Sequence, residues 1–307
     1  MNLHINLGIA GRYRLRKFVG DACTGDTGWF DNLILNNGLD QIANVTGGSF
    51  GFPYLFTVAF VGTGTTPPAD TDSQLESYLA SSSGNEQGTT SFVEAAGAVP
   101  AYWRGIRILT FGTGVAAGTI SEVGVGKSST NLFSRALIVD SNGNPTTITV
   151  LSNETLQVTY EYRSYLDKTD HLTTADIGGV TYNVTYRLAD IDNPPQILKG
   201  LGLGGDASNN LQMWSGSMGT VYNVPTGSST AANYYVNRQP YNVGDYFATF
   251  VFTFGLSTGN FGGGGVLSML FNGNQYRFQM QFTPRIPKDA TNILTMNMQV
   301  SWGRYTP

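Results

Sequence analysis

Charge is scarce in this chain. Of 307 residues, 17 are Lys or Arg and 21 are Asp or Glu, 12% together, against ~25% in an ordinary globular protein. With a net charge of −4 and a pI near 5.1, the basic footprint on which nucleic-acid affinity rests is missing. DNA and RNA are therefore excluded as expected partners. A single cysteine, Cys23, rules out an intramolecular disulfide, and with only His4 and His171 beside it there is no Cys/His zinc cage. No metal and no cofactor are expected. Long apolar runs are missing too: residues 50–61, one of the longest, fall well short of the ~18–20 that span a bilayer, so no membrane insertion is expected. The N-terminus alternates polar and apolar residues and carries no charged segment followed by an apolar run, so no signal peptide is read there.

Glycine and aromatic residues stand in contrast: 39 Gly, 17 Phe, 16 Tyr and 4 Trp. A chain so aromatic and so weakly charged folds rather than staying disordered. Period-two alternation marks half-buried strands. It is clearest in residues 275–282, 156–165 and 294–302, and in residues 246–254, where aromatic residues on both faces predict a central strand buried on both sides. Between such runs lie turn clusters such as Asn142-Gly-Asn-Pro145 and Asn272-Gly-Asn274. Helix is limited to a capped segment at 70–80, where Leu75, Tyr78 and Leu79 take helical spacing, and a shorter one at 38–44.

The fold class expected is all-β: two β-sandwich, jelly-roll-like domains in tandem with one or two short helices. The division is placed at 166–178, giving domains 1–166 and 167–307. All six glutamates precede it. The two halves also end alike, in Leu156-Gln-Val-Thr-Tyr-Glu-Tyr-Arg-Ser-Tyr165 and Met298-Gln-Val-Ser-Trp-Gly-Arg-Tyr305. Related tandem sandwiches explain this similarity; so does chance between two amphipathic strands built from common strand vocabulary.

Motifs that carry chemistry fail on context. Ser121-Glu-Val-Gly-Val-Gly126-Lys127-Ser128 lacks the first glycine of a phosphate-binding loop, and the residues that follow read as a strand rather than the required helix. Gly200-Leu-Gly202-Leu-Gly-Gly205 and Gly112-Thr-Gly114-Val-Ala-Ala117 fit a dinucleotide fingerprint by letters alone, without its βαβ unit. A Ser-His-acid triad would have to use His4 at the terminus or His171 in the expected linker. No carboxylate pair is singled out for glycoside cleavage, and Asp190 and Asp192 read as loop residues. The expectation is a protein without catalytic residues, not an enzyme.

Candidate partner residues are of two kinds. Arg12, Arg14 and Arg16 share one strand face, which reads either as a charge-protected edge strand or as a docking surface for an acidic partner. Trp214, Tyr234 and Tyr235 fall in turn-rich stretches and are the candidates for glycan or protein recognition.

Three strings in the first half carry a resemblance: Trp29-Phe-Asp-Asn-Leu-Ile-Leu-Asn-Asn-Gly-Leu-Asp-Gln-Ile; Val61-Gly-Thr-Gly-Thr-Thr-Pro-Pro-Ala-Asp-Thr-Asp-Ser-Gln-Leu75; and Ala117-Gly-Thr-Ile-Ser-Glu-Val-Gly-Val-Gly with Leu132-Phe-Ser-Arg-Ala-Leu-Ile138. Together they resemble virion proteins of tailed bacteriophages, of the tail fibre or tail-associated type, over about residues 29–165. The resemblance implies a non-enzymatic structural component (fibre, collar or tail-tip) acting in attachment or assembly, with the first half docking and the second projecting. Its location would be the virion, assembled in the host bacterial cytoplasm. Its partners would be other virion proteins of tail, collar or capsid, further copies of itself with a trimer favoured, and a host surface glycan. Two alternatives stay open: a capsid decoration or head-spike protein, suggested by the lack of heptads or repeats, and a carbohydrate-binding adhesin or depolymerase of the virion.

Overall fold

Alternation along the N-terminal strand sets the architecture. Leu7, Ile9, Tyr13 and Leu15 are buried while Arg12, Arg14 and Arg16 are half-buried, so one face of this strand meets a core and the other carries charge. A computed structural model describes residues 2–43, 55–93, 100–165, 167–189, 211–231, 234–262, 264–272 and 277–306; for 2–5, 85–93, 234–238 and 272 only the backbone is described.

The protein is all-β with one short helix. Numbered in chain order, the largest sheet has eight strands. They run β17 (Tyr234–Arg238), β18 (Phe247–Phe254), β21 (Leu294–Arg304), β1 (Asn2–Val19), β12 (Thr155–Tyr165), β7 (Tyr102–Phe111) and β6 (Asn85–Val93), with β2 (Ala22–Asp31) beside β1. A five-stranded sheet orders β3 (Leu33–Ile34), β10 (Asn131–Leu137), β9 (Glu122–Ser128), β4 (Val58–Gly62) and β5 (Tyr78–Ser82). A six-stranded sheet orders β13 (His171–Ile177), β14 (Val180–Leu188), β20 (Arg277–Ile286), β19 (Val266–Asn272), β15 (Leu211–Trp214) and β16 (Ser229–Ala231). A small ribbon pairs β8 (Gly118–Ile120) with β11 (Ile148–Val150).

Both smaller sheets pack on the same face of the large one, giving two β-sandwiches side by side. In the first, Tyr13 of β1 hydrogen-bonds Ser134 of β10, and Tyr160 and Tyr162 of β12 meet Phe133 of β10 around Phe56. In the second, Phe252 of β18 meets Phe271 of β19 edge to face, ring centroids 6.2 Å apart. Register shows that these are one face: Leu7 pairs with Trp302 across β1 and β21, and Met296 with Phe252 across β21 and β18. One contiguous buried cluster runs through both sandwiches.

The expected division at 166–178 begins where the chain leaves β12 and takes in the whole of β13, and the large sheet takes strands from both sides of it. The strands that end the two halves, β12 and β21, flank β1, the first antiparallel and the second parallel to it.

The helix expected at 38–44 is α1 (Asn36–Ala43), with Leu39, Ile42 and Ala43 buried; Asn44 lies outside the described residues. The helix expected at 70–80 does not form. This segment is irregular up to β5, because Asp72 accepts from the Ala69 amide and from Arg135, 63 residues away, while Leu75 inserts beside Phe60 and Leu132. In β18 one face is buried and the other, with Phe247, Thr249 and Val251, is half-buried, so the expected two-sided burial holds on one side only. Nor is β1 an edge strand: it lies inside the sheet, between β12 and the pair β21 and β2. His171 belongs to β13 rather than to a linker and stacks on Tyr186. Gly200 to Gly205, Asp190 and Asp192 lie outside the described residues. Among those described, no helix is long and apolar enough to cross a membrane.

Candidate functional site

Strand β1 presents Arg12, Arg14 and Arg16 on the face of the large sheet turned away from both smaller sheets, because the intervening Tyr13 and Leu15 are buried in the core. Each guanidinium has a partner within the protein. Arg12 donates to Glu161 of β12 at 3.0 Å and lies over the Trp29 ring at 4.4 Å. Arg14 grips the Asp26 carboxylate of β2 through Nε and Nη2, which holds that acid below its usual range. Arg16 donates to Gln157. Arg163, also on β12, closes on Glu161 at 2.7 Å and lies over Tyr102. This strip thus sets the guanidinium groups of Arg12, Arg14 and Arg163 against the carboxylates of Glu161 and Asp26, with Asp31 and Arg104 opposite Arg12 and Arg163 in register.

A second arrangement was not singled out by sequence. Glu122 opens β9 and Arg135 lies on β10, their side chains 0% and 3% exposed and 2.8 Å apart at closest approach. Glu122 accepts from the amides of Gly64, Glu76 and Ser77 as well as from Arg135. Arg135 reaches on to Asp72 at 2.6 Å and to the Thr66 carbonyl at 3.0 Å. Glu76 accepts from the amides of Thr65 and Thr66 and from the Thr66 hydroxyl, contacts that hold its carboxyl below the usual range. The pair therefore clamps residues 62–77 across the outer face of the five-stranded sheet. Gly62 and Gly64 permit the approach, since a Cβ at either would stand 2.6 Å or less from the Glu122 carboxylate.

Two stretches of the first half meet here: Val61 to Leu75 supplies the clamped loop, and Ser-Glu-Val at 121–123 with Ser-Arg-Ala at 134–136 supplies the clamp. A signal for the pair was present: Glu122 and Arg135 each lie within an otherwise apolar stretch of neighbouring strands, in a chain poor in charge. A charge buried in such a strand is stable only when paired.

The aromatic candidates are not brought onto one sheet. Trp214, half-buried, ends β15 in the six-stranded sheet, and its buried indole nitrogen has no hydrogen-bond partner among the described residues. Tyr234 and Tyr235 begin β17, at one end of the large sheet, and only their backbone is described. After Trp214, residues 215–228 cross the outer face of the six-stranded sheet. They are tied there by Gln279 and Gln281 accepting from the Gly219 and Met218 amides, and by Ser268 donating to the Gly216 carbonyl. Among the described residues no group of three His, Cys, Asp or Glu side chains is placed to hold a metal ion. No protein-family model matches this chain, and no curated protein or solved structure does.

Proposed function

We propose that this chain is a non-enzymatic structural component of a tailed-bacteriophage virion, tail-associated, that docks on a neighbouring virion protein through the outer face of its large sheet. The observation that carries this reading is the convergence of its motifs on shape. The glycines, threonines and charges of the two stretches are used to fix a surface loop on a sheet, the task of an assembly part. The strip of Arg12, Arg14, Arg16 and Arg163, with the carboxylates of Glu161 and Asp26 among them, suits an acidic partner surface.

Particles purified from cells carrying the gene test it. Mass spectrometry is expected to find the chain in gradient-purified virions, and immunogold label with antibody to the chain is expected on tails. Label on heads alone replaces this reading with a decoration or spike protein; absence of the chain from purified particles overturns it. Arg12→Ser with Arg14→Ser and Arg16→Ser is expected to abolish incorporation while the isolated protein stays folded, and normal incorporation rejects this face as the docking surface.

A further inference from the structure

A half-open groove of about 470 Å³ lies on the outer face of the five-stranded sheet, beside its end strand β5. This volume is within the ~300–1,000 Å³ of small-molecule sites. Its floor is apolar: Phe60 and Leu75 belong to a small buried cluster with Leu35 and Leu132. Gln74 and Glu76 form one wall, Tyr78 and Ser81 of β5 another, and Ser129, in the turn between β9 and β10, closes the third.

The walls are held before any ligand arrives. Glu122 takes the amides of Glu76 and Ser77, and the Glu76 carboxylate is fixed by Thr65 and Thr66, so the loop that carries this wall is rigid. Tyr78 lines the groove while 55% exposed, and its hydroxyl is tied to the Ser81 hydroxyl at 3.0 Å, which restrains the ring. The side chains of Gln74 and Ser129 make no hydrogen bond among the described residues.

The chemistry of the lining selects among ligands. Glu76 is the one charged side chain of the groove, so an anion is repelled. Its carboxylate already meets two amides and a hydroxyl, with the Arg135 guanidinium 3.9 Å away, which leaves little attraction for a cation. What remains is a flat exposed ring, an amide, two hydroxyls and a carboxylate with acceptor capacity left. A neutral ring with one C–H face and several equatorial hydroxyls matches this set: the C–H face lies on Tyr78 and the hydroxyls meet Gln74, Glu76 and Ser129. We propose that this groove binds a neutral pyranose sugar, with Tyr78 as its stacking platform. The inference stands on the groove alone and holds wherever the chain is located.

Saturation-transfer difference NMR with the intact protein tests it, using the methyl pyranosides of glucose, galactose and mannose and N-acetylglucosamine as probes. At least one is expected to bind with a Kd of about 1–10 mM. Tyr78→Ala, and separately Ser129→Trp, which sets a bulky ring on the wall that Ser129 forms, are each expected to weaken it about tenfold or more. Leu172→Ser, at an 81% exposed position on β13 in the six-stranded sheet, is expected to leave it unchanged. Circular dichroism checks that each variant is folded; should Tyr78→Ala fail, Ser129→Trp decides. The proposal is overturned if no probe binds, if binding survives in the folded groove variants, if Leu172→Ser abolishes it, or if methylammonium displaces the sugar and marks a cation site.

Discussion

The rings of Tyr165 and Tyr305 stack face to face above Gly8, centroids 3.6 Å apart and planes 14° from parallel. These tyrosines end the two strings that look alike in sequence, and they meet because β12 and β21 flank β1. A Cβ on Gly8 would stand 2.9 Å from Cδ2 of Tyr305, so Gly8→Ala must displace that ring. A destabilisation of about 1–3 kcal/mol is expected in urea unfolding. In a Tyr305→Ala background the same substitution is expected to cost less, ~1 kcal/mol or below, because the ring atom at 2.9 Å is gone and only the Cβ of residue 305, at 3.2 Å, remains. Equal costs in both backgrounds would show that the stack does not constrain Gly8.

Glu122 and Arg135 make a stronger claim on stability. Removing one partner of a buried pair leaves the other charge without compensation, so Arg135→Met is expected to cost about 3–5 kcal/mol. Glu122→Gln keeps an oxygen that accepts from the backbone and removes the stranded charge. Adding it to Arg135→Met is therefore expected to restore ~1–2 kcal/mol. Limited proteolysis should cut residues 62–77 in Arg135→Met and leave them intact in the wild type. Urea unfolding that shows the double variant less stable than Arg135→Met would remove the charge argument.

How much of this was legible depends on the range of the interactions. Strands β12, β18 and β21 are readable because their apolar residues repeat every second position, a local consequence of one buried face. The absent helix at 70–80 shows the opposite case. Leu75, Tyr78 and Leu79 take helical spacing, but Leu75 sits in a buried cluster, Tyr78 faces solvent, and Asp72 answers an arginine 63 residues further on. A local pattern cannot report a partner at that distance. The same holds for the parallel pairing of β1 with β21, and for the indole of Trp302, which donates to the Leu39 carbonyl across 263 residues. Of the site residues, the shared face of Arg12, Arg14 and Arg16 was readable from period two, whereas their partners Glu161, Asp26 and Gln157 were not.

The contacts of β21 predict that the first half does not stand by itself. Besides Trp302, Arg304 donates to the Ile34 carbonyl at 2.6 Å and to Asn36 at 2.7 Å, and Asp40 of α1 accepts from Tyr241 and from the Gly244 amide. Cutting the chain after residue 166 removes all of these and leaves Asn2 to Ile9 of β1 as an unpaired edge. The 1–166 fragment is expected to aggregate or to lose a cooperative melt, while the full chain unfolds in one transition. A soluble fragment that melts cooperatively near the full-length Tm would show that the first sandwich is autonomous.

Acid is expected to destabilise the fold, and the direction follows from three carboxylates. Glu154 is held below its ordinary 4.5 by the Thr24 hydroxyl, the Leu151 amide and Lys17. Glu76 is lowered by Thr66 and Thr65, and Asp26 is lowered from 3.8 chiefly by Arg14. For each group the unfolded chain binds its proton at a higher pH than the folded one does. The stabilisation is therefore complete above the unfolded values and is lost as pH falls from about 4.5 through the lowered folded values. Thermal melts are expected to show Tm falling below pH 4.5. Glu154→Gln, which cannot ionise, should lower Tm at pH 7 and flatten the acid limb, because its share of the linkage is removed. A wild-type Tm that is unchanged down to pH 3, or an acid limb equally steep in Glu154→Gln, would mean that these carboxylates do not carry the acid response.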